Sequence, residues 1–290
     1  MPPQTFDLQS HSVHSDGNHS AAEVVAFAAR AGVELLALSD HDTVDGVQEA
    51  LDASERHGVR IVRATEISAV EGPHEDLHVL GYGIDHTDAT LAERLLDARE
   101  DRVHRADRMG DRLQELGYAI DDAPLEARRA AGKPIGRPHL SAAVLQHPGN
   151  AERLRSEGYT DVSSFLPDFL IQGKPAYVAR THPTVGEAIA WIHEAGGVAI
   201  WAHPFWDIDD PAEVLDAVDR FTEQGLDGVE VFYPTHDADQ TRLLLESCTE
   251  RELLATGSSD FHGVEHRLFS EFLAYDLHGL EPRLGPIAAA

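Results

Sequence analysis

Short apolar runs alternate with longer segments of helical period at both ends of this chain, and that alternation admits few folds. Phe6-Asp7-Leu8, Glu34 to Leu38, Val59 to Ile67 and Leu77 to Tyr82 read as strands, with helices Ala21 to Ala31 and Val44 to His57 between them. Ser20 and Glu23 form a capping box for the first helix. From about residue 184 the pattern resumes: helix to Ala195, strand Val198 to Trp201, helix Pro211 to Gln224, strand Gly228 to Phe232, helix Ala238 to Arg251, strand Leu253 to Thr256. This spacing predicts an α/β fold, a parallel sheet or barrel covered by helices.

The middle lacks clear strands and is rich in Arg, Glu and Ala. Asp101 through Leu116 reads as a charged amphipathic helix stopped by Gly117. Residues 1–90 and 184–290 are therefore read as the barrel, and 91–183 as a mostly helical insertion. The Met1-Pro2-Pro3-Gln4-Thr5 start has no basic segment leading into an apolar one, so a cytoplasmic location is expected.

The histidines gather where strands end. His11 and Asp16, His41, Glu66, His203, and Asp260 with His262 lie at or just past the ends of five predicted strands; His78 lies within or at the start of a sixth. A parallel barrel brings those ends to one mouth. Imidazole and carboxylate together suit Zn²⁺, Mn²⁺ or Fe²⁺, and a carboxylate such as Glu66 can bridge two ions. Cys248 is the lone cysteine, so thiolate clusters and internal disulfides are excluded. The 51 acidic and 23 basic residues leave a net charge of −28, which disfavours duplex nucleic acid and anionic membrane as partners.

These segments, with Asp42-Thr43-Val44-Asp45-Gly46, Gly173-Lys174-Pro175-Ala176-Tyr177-Val178 and Gly196-Gly197-Val198-Ala199, resemble the polymerase-and-histidinol-phosphatase (PHP) family of metal-dependent phosphoesterases. The likeness is greatest to its stand-alone bacterial branch, which acts on nucleotide phosphates, including nucleoside 3′,5′-bisphosphates, and trims the 5′ end of short RNA. It implies a distorted (β/α)7 TIM-like barrel, the PHP fold, with a helical insertion, and two or three divalent ions (Mn, Zn or Fe). By that resemblance His11, Glu66 and Asp260 hold one ion, Asp16, His41 and His262 a second, and Glu66, His78 and His203 a third.

The expected reaction is phosphomonoester hydrolysis by metal-activated hydroxide held by Glu66, Asp260 and His203. The expected substrate is a small phosphorylated nucleotide or a short RNA end. Arg137 and His139 in Arg137-Pro138-His139 are candidates for phosphate binding, Lys174 is a second candidate, and Tyr177 is a candidate to line a nucleoside pocket. Tyr233 and His236 are candidate lining residues of a nucleoside pocket, while Trp201 and Trp206 are expected to shape or dry the site.

One departure stands out. Where the family begins the motif with His-x-His, this chain has Gln9. Gln9 either ligates through its carbonyl oxygen, leaves the position to water, or marks a weakened first site. The alternatives to a nucleotide phosphatase are a histidinol-phosphate phosphatase and a catalytically weakened metal-binding member.

Overall fold

A computed structural model describes residues 5–130, 135–180 and 182–289. In chain order the elements are β1 (Phe6–Asp7), α1 (Ala21–Ala31), β2 (Leu35–Leu38), α2 (Val47–His57), β3 (Arg60–Glu71), β4 (His74–Tyr82) and α3 (Ala89–Glu115). There follow α4 (Asp122–Ala130), α5 (Arg137–Gln146), α6 (Ala151–Glu157), α7 (Val162–Phe169) and α8 (Val185–Glu194). The last are β5 (Val198–Trp201), α9 (Pro204–Asp207), α10 (Pro211–Glu223), β6 (Gly228–Phe232), α11 (Ala238–Glu250) and β7 (Leu254–Gly257). Packing divides the chain into residues 1–96 with 182–290 and residues 97–181, a boundary that falls inside α3.

In the first unit the seven strands form one sheet in sequence order. Its two edges meet: Leu8 N donates to Gly257 O at 3.3 Å, His11 N donates to Phe261 O at 2.8 Å, and Ser10 bridges Phe261 in parallel. The result is a nearly closed barrel. Side-chain alternation explains both of its surfaces. Leu35 and Ala37 of β2 join Val62, Ala64, Leu80 and Ile200 inside, while Leu36 and Leu38 pack outward with Val24 and Ala28 of α1 and Ala50 and Ala53 of α2. The predicted capping box forms: Ser20 Oγ accepts from Glu23 N at 3.3 Å, and Glu23 Oε2 accepts from Ser20 N at 2.9 Å. Gly32, at φ +85°, ends α1 in the left-handed conformation that glycine tolerates.

The all-parallel expectation is corrected at β4. It runs antiparallel to both β3 and β5, whereas the β1–β2, β2–β3, β5–β6 and β6–β7 pairs are parallel. The reason is local. β3 continues past Ile67 to Glu71, β4 begins at His74, and only Gly72 and Pro73 join them. So short a turn can connect antiparallel strands alone, because a parallel crossover needs a dozen or so residues. The charged helix read from Asp101 to Leu116 also starts earlier, at Ala89, and Gly117 follows its end at φ +86°.

The second unit is helical, with Leu113, Tyr118, Leu140, Val144, Phe165 and Leu170 in its core. Asn150 ties its loops together, donating to Ala119 O and Val144 O and accepting from Ala119 N. Among the described residues no helix is long and apolar enough to cross a membrane.

Close strand approach in the barrel depends on Gly228. A Cβ there would meet Leu254 Cβ and Ile200 Cδ1 at 2.6 Å and Leu254 O at 2.7 Å. Gly228→Ala is expected to destabilise the protein by about 1–3 kcal/mol, read as a lowered denaturant midpoint.

Candidate metal centre

The centre grows from the pleat of β3. Val62 and Ala64 face inward, Glu66 is the next inward position, and its carboxylate enters the barrel mouth with 0% exposure. The chain leaving β2 stays beside it: Glu66 N donates to Asp40 O at 3.2 Å, and Asp42 N donates to Glu66 O at 2.8 Å. That pairing places His41 in register with Glu66. His78 is two residues before Leu80 on β4, opposite Ser68 of β3. Because β4 is reversed, its beginning lies at the rim where the parallel strands end, which resolves the exceptional position of His78. His203 follows β5, with Ala202 N donating to His78 O at 3.0 Å.

Six segments thereby converge. His11 Nε2 lies 3.1 Å from Glu66 Oε2 and 3.0 Å from Asp260 Oδ1. His41 lies 3.5 Å from Glu66 and 3.6 Å from Asp16, and His262 lies 3.5 Å from Asp16. Glu66 Oε1, His78 Nδ1 and His203 Nε2 form a tight triangle of 2.9, 3.2 and 3.2 Å. Ligating atoms lie within 4.8 Å of one another in each of three groups: His11-Asp16-His41-His262, His41-Glu66-His78 and His11-Glu66-Asp260.

The residues around these groups hold them in place. Asp40 accepts from Ser12 N, Ser12 Oγ and Ser15 Oγ, each at 2.7 Å, and so shapes the loop carrying His11 and Asp16. Gly17 lets that loop fold on itself, since a Cβ there would sit 2.3 Å from His11 O. Tyr233 Oη donates to Asp260 Oδ2 at 2.8 Å, leaving Oδ1 towards His11. Asp42, His203 and Asp260 adopt left-handed backbone, at φ +52°, +30° and +54°. Such conformations cost about 1–3 kcal/mol each, and their clustering at one rim is typical of functional sites.

Electrostatics favour cation binding. Burial raises the cost of the Glu66 charge, yet His41 and His78, with His11 and His203, hold its carboxyl well below the usual range. Burial opposes protonation of His11 and His203, but neighbouring carboxylates prevail: Asp260 and Glu66 lift His11 well above its ordinary value, and Glu66 lifts His203 to about 9. Burial takes His41 down to about 4, leaving a neutral ring. Both ring nitrogens of His11, Nδ1 of His41 and of His203, and Oδ1 of Asp260 are buried without a hydrogen-bond partner. Orphaned donor atoms of this kind, three carboxylates and five imidazoles together, fit divalent cations.

Gln9 is fully buried, and its amide Nε2 donates to Glu66 Oε2 at 2.9 Å. Its Oε1 lies 3.3 Å from Ser258 Oγ, which is 2.6 Å from Glu230 Oε1. Burial pushes the Glu230 carboxyl up to about 8. Sequence reasoning missed Glu230 and Ser258 because neither carries a motif; only their place on β6 and just after β7 signals them.

Arg137, His139, Lys174 and Tyr177 belong to the second unit, whereas Trp201 and His236 belong to the first. Gly136 caps α5, Arg137 opens it, and His139 Nδ1 accepts from Gly136 N at 3.0 Å, so the ring proton sits on Nε2. Burial, then Arg128, lowers the His139 pKa. Lys174 pairs with Asp168 at 3.6 Å, and Tyr177 is buried in the helical core. Trp201 is fully buried, and His236 Nδ1 donates to Val231 O at 3.0 Å.

Residues 7–131 match the PHP domain. The 3′,5′-nucleoside bisphosphate phosphatase of Chromobacterium violaceum is 32% identical over 89% of this chain and 87% of its own length. The 5′-3′ exoribonuclease of Haemophilus influenzae is 32% identical over 89% of each chain. A solved structure from Bifidobacterium adolescentis, described as a metal-dependent phosphoesterase, superposes with TM-score 0.69 at 29% identity, covering 99% of this chain and 95% of that one. The strand-end histidines, the distorted barrel and these relatives agree: the chain belongs to the PHP family of metal-dependent phosphoesterases.

Proposed function

We propose that this phosphoesterase hydrolyses phosphomonoesters of nucleotides, a nucleoside 3′,5′-bisphosphate or 5′-mononucleotide first and the 5′ end of a short RNA second. The observation that carries the reading is the sharing of Glu66 and His11 among three tightly spaced donor groups. His11, Glu66 and Asp260 would hold one ion, Asp16, His41 and His262 a second, and Glu66, His78 and His203 a third, drawn from manganese, zinc or iron. Divalent ions held by these residues would acidify a bound water and offset charge on the phosphoryl oxygens. The protein's own part is to fix the donors and keep them dry. Asp40 sets the first loop, Tyr233 orients Asp260, and Gln9 holds Glu66.

Arg137 and His139 are proposed to bind substrate phosphate. The support is local: Arg137 opens a helix, where backbone N–H groups favour anions, and His139 offers an Nε2–H donor. The contacts of Lys174 and Tyr177 support structural roles within their own unit.

With Mn²⁺ present, phosphate release is expected from a nucleoside 3′,5′-bisphosphate in a panel that also holds a 5′-mononucleotide, histidinol phosphate and a 5′-phosphorylated short RNA. Release from histidinol phosphate alone overturns the nucleotide reading. Arg137→Ala should lower kcat/KM on the bisphosphate at least about tenfold, and an unchanged value removes Arg137 from phosphate binding.

Metal loading should release protons. His203 (about 9) and His11 (well above its ordinary value) hold a proton at neutral pH, and each must lose it to ligate. Affinity for Mn²⁺ is therefore expected to fall as pH drops from about 9 towards 6. Calorimetric titration at pH 7 in buffers of differing ionisation enthalpy measures this; buffer-independent heats count against it. Gln9→His places an imidazole where an amide now donates to Glu66. It should raise the manganese retained per chain after gel filtration, measured by elemental analysis.

A further inference from the structure

Six large apolar side chains are exposed among the described residues, and four of them sit in three segments that carry candidate ligands. Val13 (57%) lies between His11 and Asp16, Trp206 (47%) follows His203 on α9, and Val264 (49%) and Leu268 (56%) follow His262. Trp206 is the one aromatic among them. Its ring stands over a floor of buried aromatics, 5.6 Å from Phe269 and 6.4 Å from Tyr233 between centroids.

That floor runs without a break into the metal centre. Phe269 stacks on His266 at 5.3 Å and 9°, and His266 stacks on His262 at 5.1 Å. The backbone repeats the link, His262 N donating to Phe269 O at 2.9 Å. On the other side Tyr233 Oη reaches Asp260 at 2.8 Å. A phosphate drawn to cations at this rim would leave the remainder of its molecule beside Trp206.

We propose that Trp206, on the floor formed by Phe269 and Tyr233, is a stacking subsite for the heteroaromatic base of the substrate. The inference rests on the nucleotide reading above and deepens it: the enzyme selects phosphoesters that carry a base over those that carry sugar alone. Stacking suits this chain for a physical reason. With a net charge of −28 it lacks a broad basic surface, and a ring face attracts a base without one. A protein partner is the weaker occupant. Stable interfaces bury roughly 800 Å² per side, more than four partly exposed side chains supply, whereas a base needs one ring face. Trp206 therefore does more than keep the site dry, the role its sequence position suggested.

The test compares 2′-deoxyadenosine 3′,5′-bisphosphate with the corresponding abasic deoxyribose bisphosphate, in wild type, Trp206→Ala and Trp206→Phe, with Mn²⁺. Wild type should favour the base-bearing substrate by about tenfold in kcat/KM, chiefly through KM. Trp206→Ala should collapse that ratio towards one, and Trp206→Phe should restore most of it. Equal turnover of both substrates by wild type, or a ratio unmoved in Trp206→Ala, overturns the subsite. Turnover of neither overturns the nucleotide reading instead, and tryptophan fluorescence then decides the subsite. Quenching by the deoxyadenosine compound and not by the abasic one upholds it, because Trp201 is buried and Trp191 nearly so; equal or absent quenching removes it.

Discussion

Glu66 carries a carboxylate that water does not reach, and a charge so placed must be answered by its neighbours. Five side chains answer it, Gln9, His11, His41, His78 and His203, each with a nitrogen within 3.5 Å. They arrive from different parts of the chain, so satisfying one carboxylate fixes where several strands must end. The barrel's mouth can be described as the shell that this single anion requires. The shell is incomplete with protein alone, since both nitrogens of His11 stay without hydrogen bonds, Nε2 facing oxygens at 3.0 and 3.1 Å and Nδ1 facing Asp16 at 3.7 Å. An arrangement costly in isolation becomes favourable when cations enter it.

The reversed strand serves the same requirement. A fully parallel sheet would have needed a helical crossover between β3 and β4. The two-residue turn replaces it and lays β4 along β3 from Ala64 to Glu71. His78 thus reaches Glu66 from the middle of its reversed strand, while His203 reaches it from just past the end of the neighbouring one. Opposite strand directions bring two imidazoles to the same carboxylate oxygen, 3.2 Å from each other.

Much of this was legible in the residues themselves. The periodicity placed α1 at its observed bounds and five of the seven strands within a residue of theirs, because each of those is short and apolar; β3 and β4 run to 12 and 9 residues, past the apolar runs that signalled them. The ligand candidates could be read because metal chemistry needs particular side chains at strand ends. Strand direction could not, since apolar pattern carries no arrow, and the turn at Gly72-Pro73 was hidden among polar residues of β3 and β4 that face away from the core. Glu230 and Ser258 escaped notice for a related reason. A buried carboxyl supported by a hydroxyl looks, in sequence, like any Glu and any Ser. Trp206 was visible, but its exposure is a property of the folded surface and has no sequence signature.

The bridge between Ser10 and Phe261 bears on how the centre comes into being during synthesis. A chain emerging from its N-terminus presents His11, Asp16, His41, Glu66 and His78 long before Asp260 and His262 exist. No grouping that includes either of the last two can form until residues 260–262 have been made and the sheet has closed on its first strand. Early segments can meet free metal only as loose, partial donor sets, and the full affinity arrives with the final strand. Filling of the groups that use Asp260 or His262 thereby becomes a report that the barrel has closed, and a chain cut short before β7 would keep most of its ligands yet lose the means to assemble those groups.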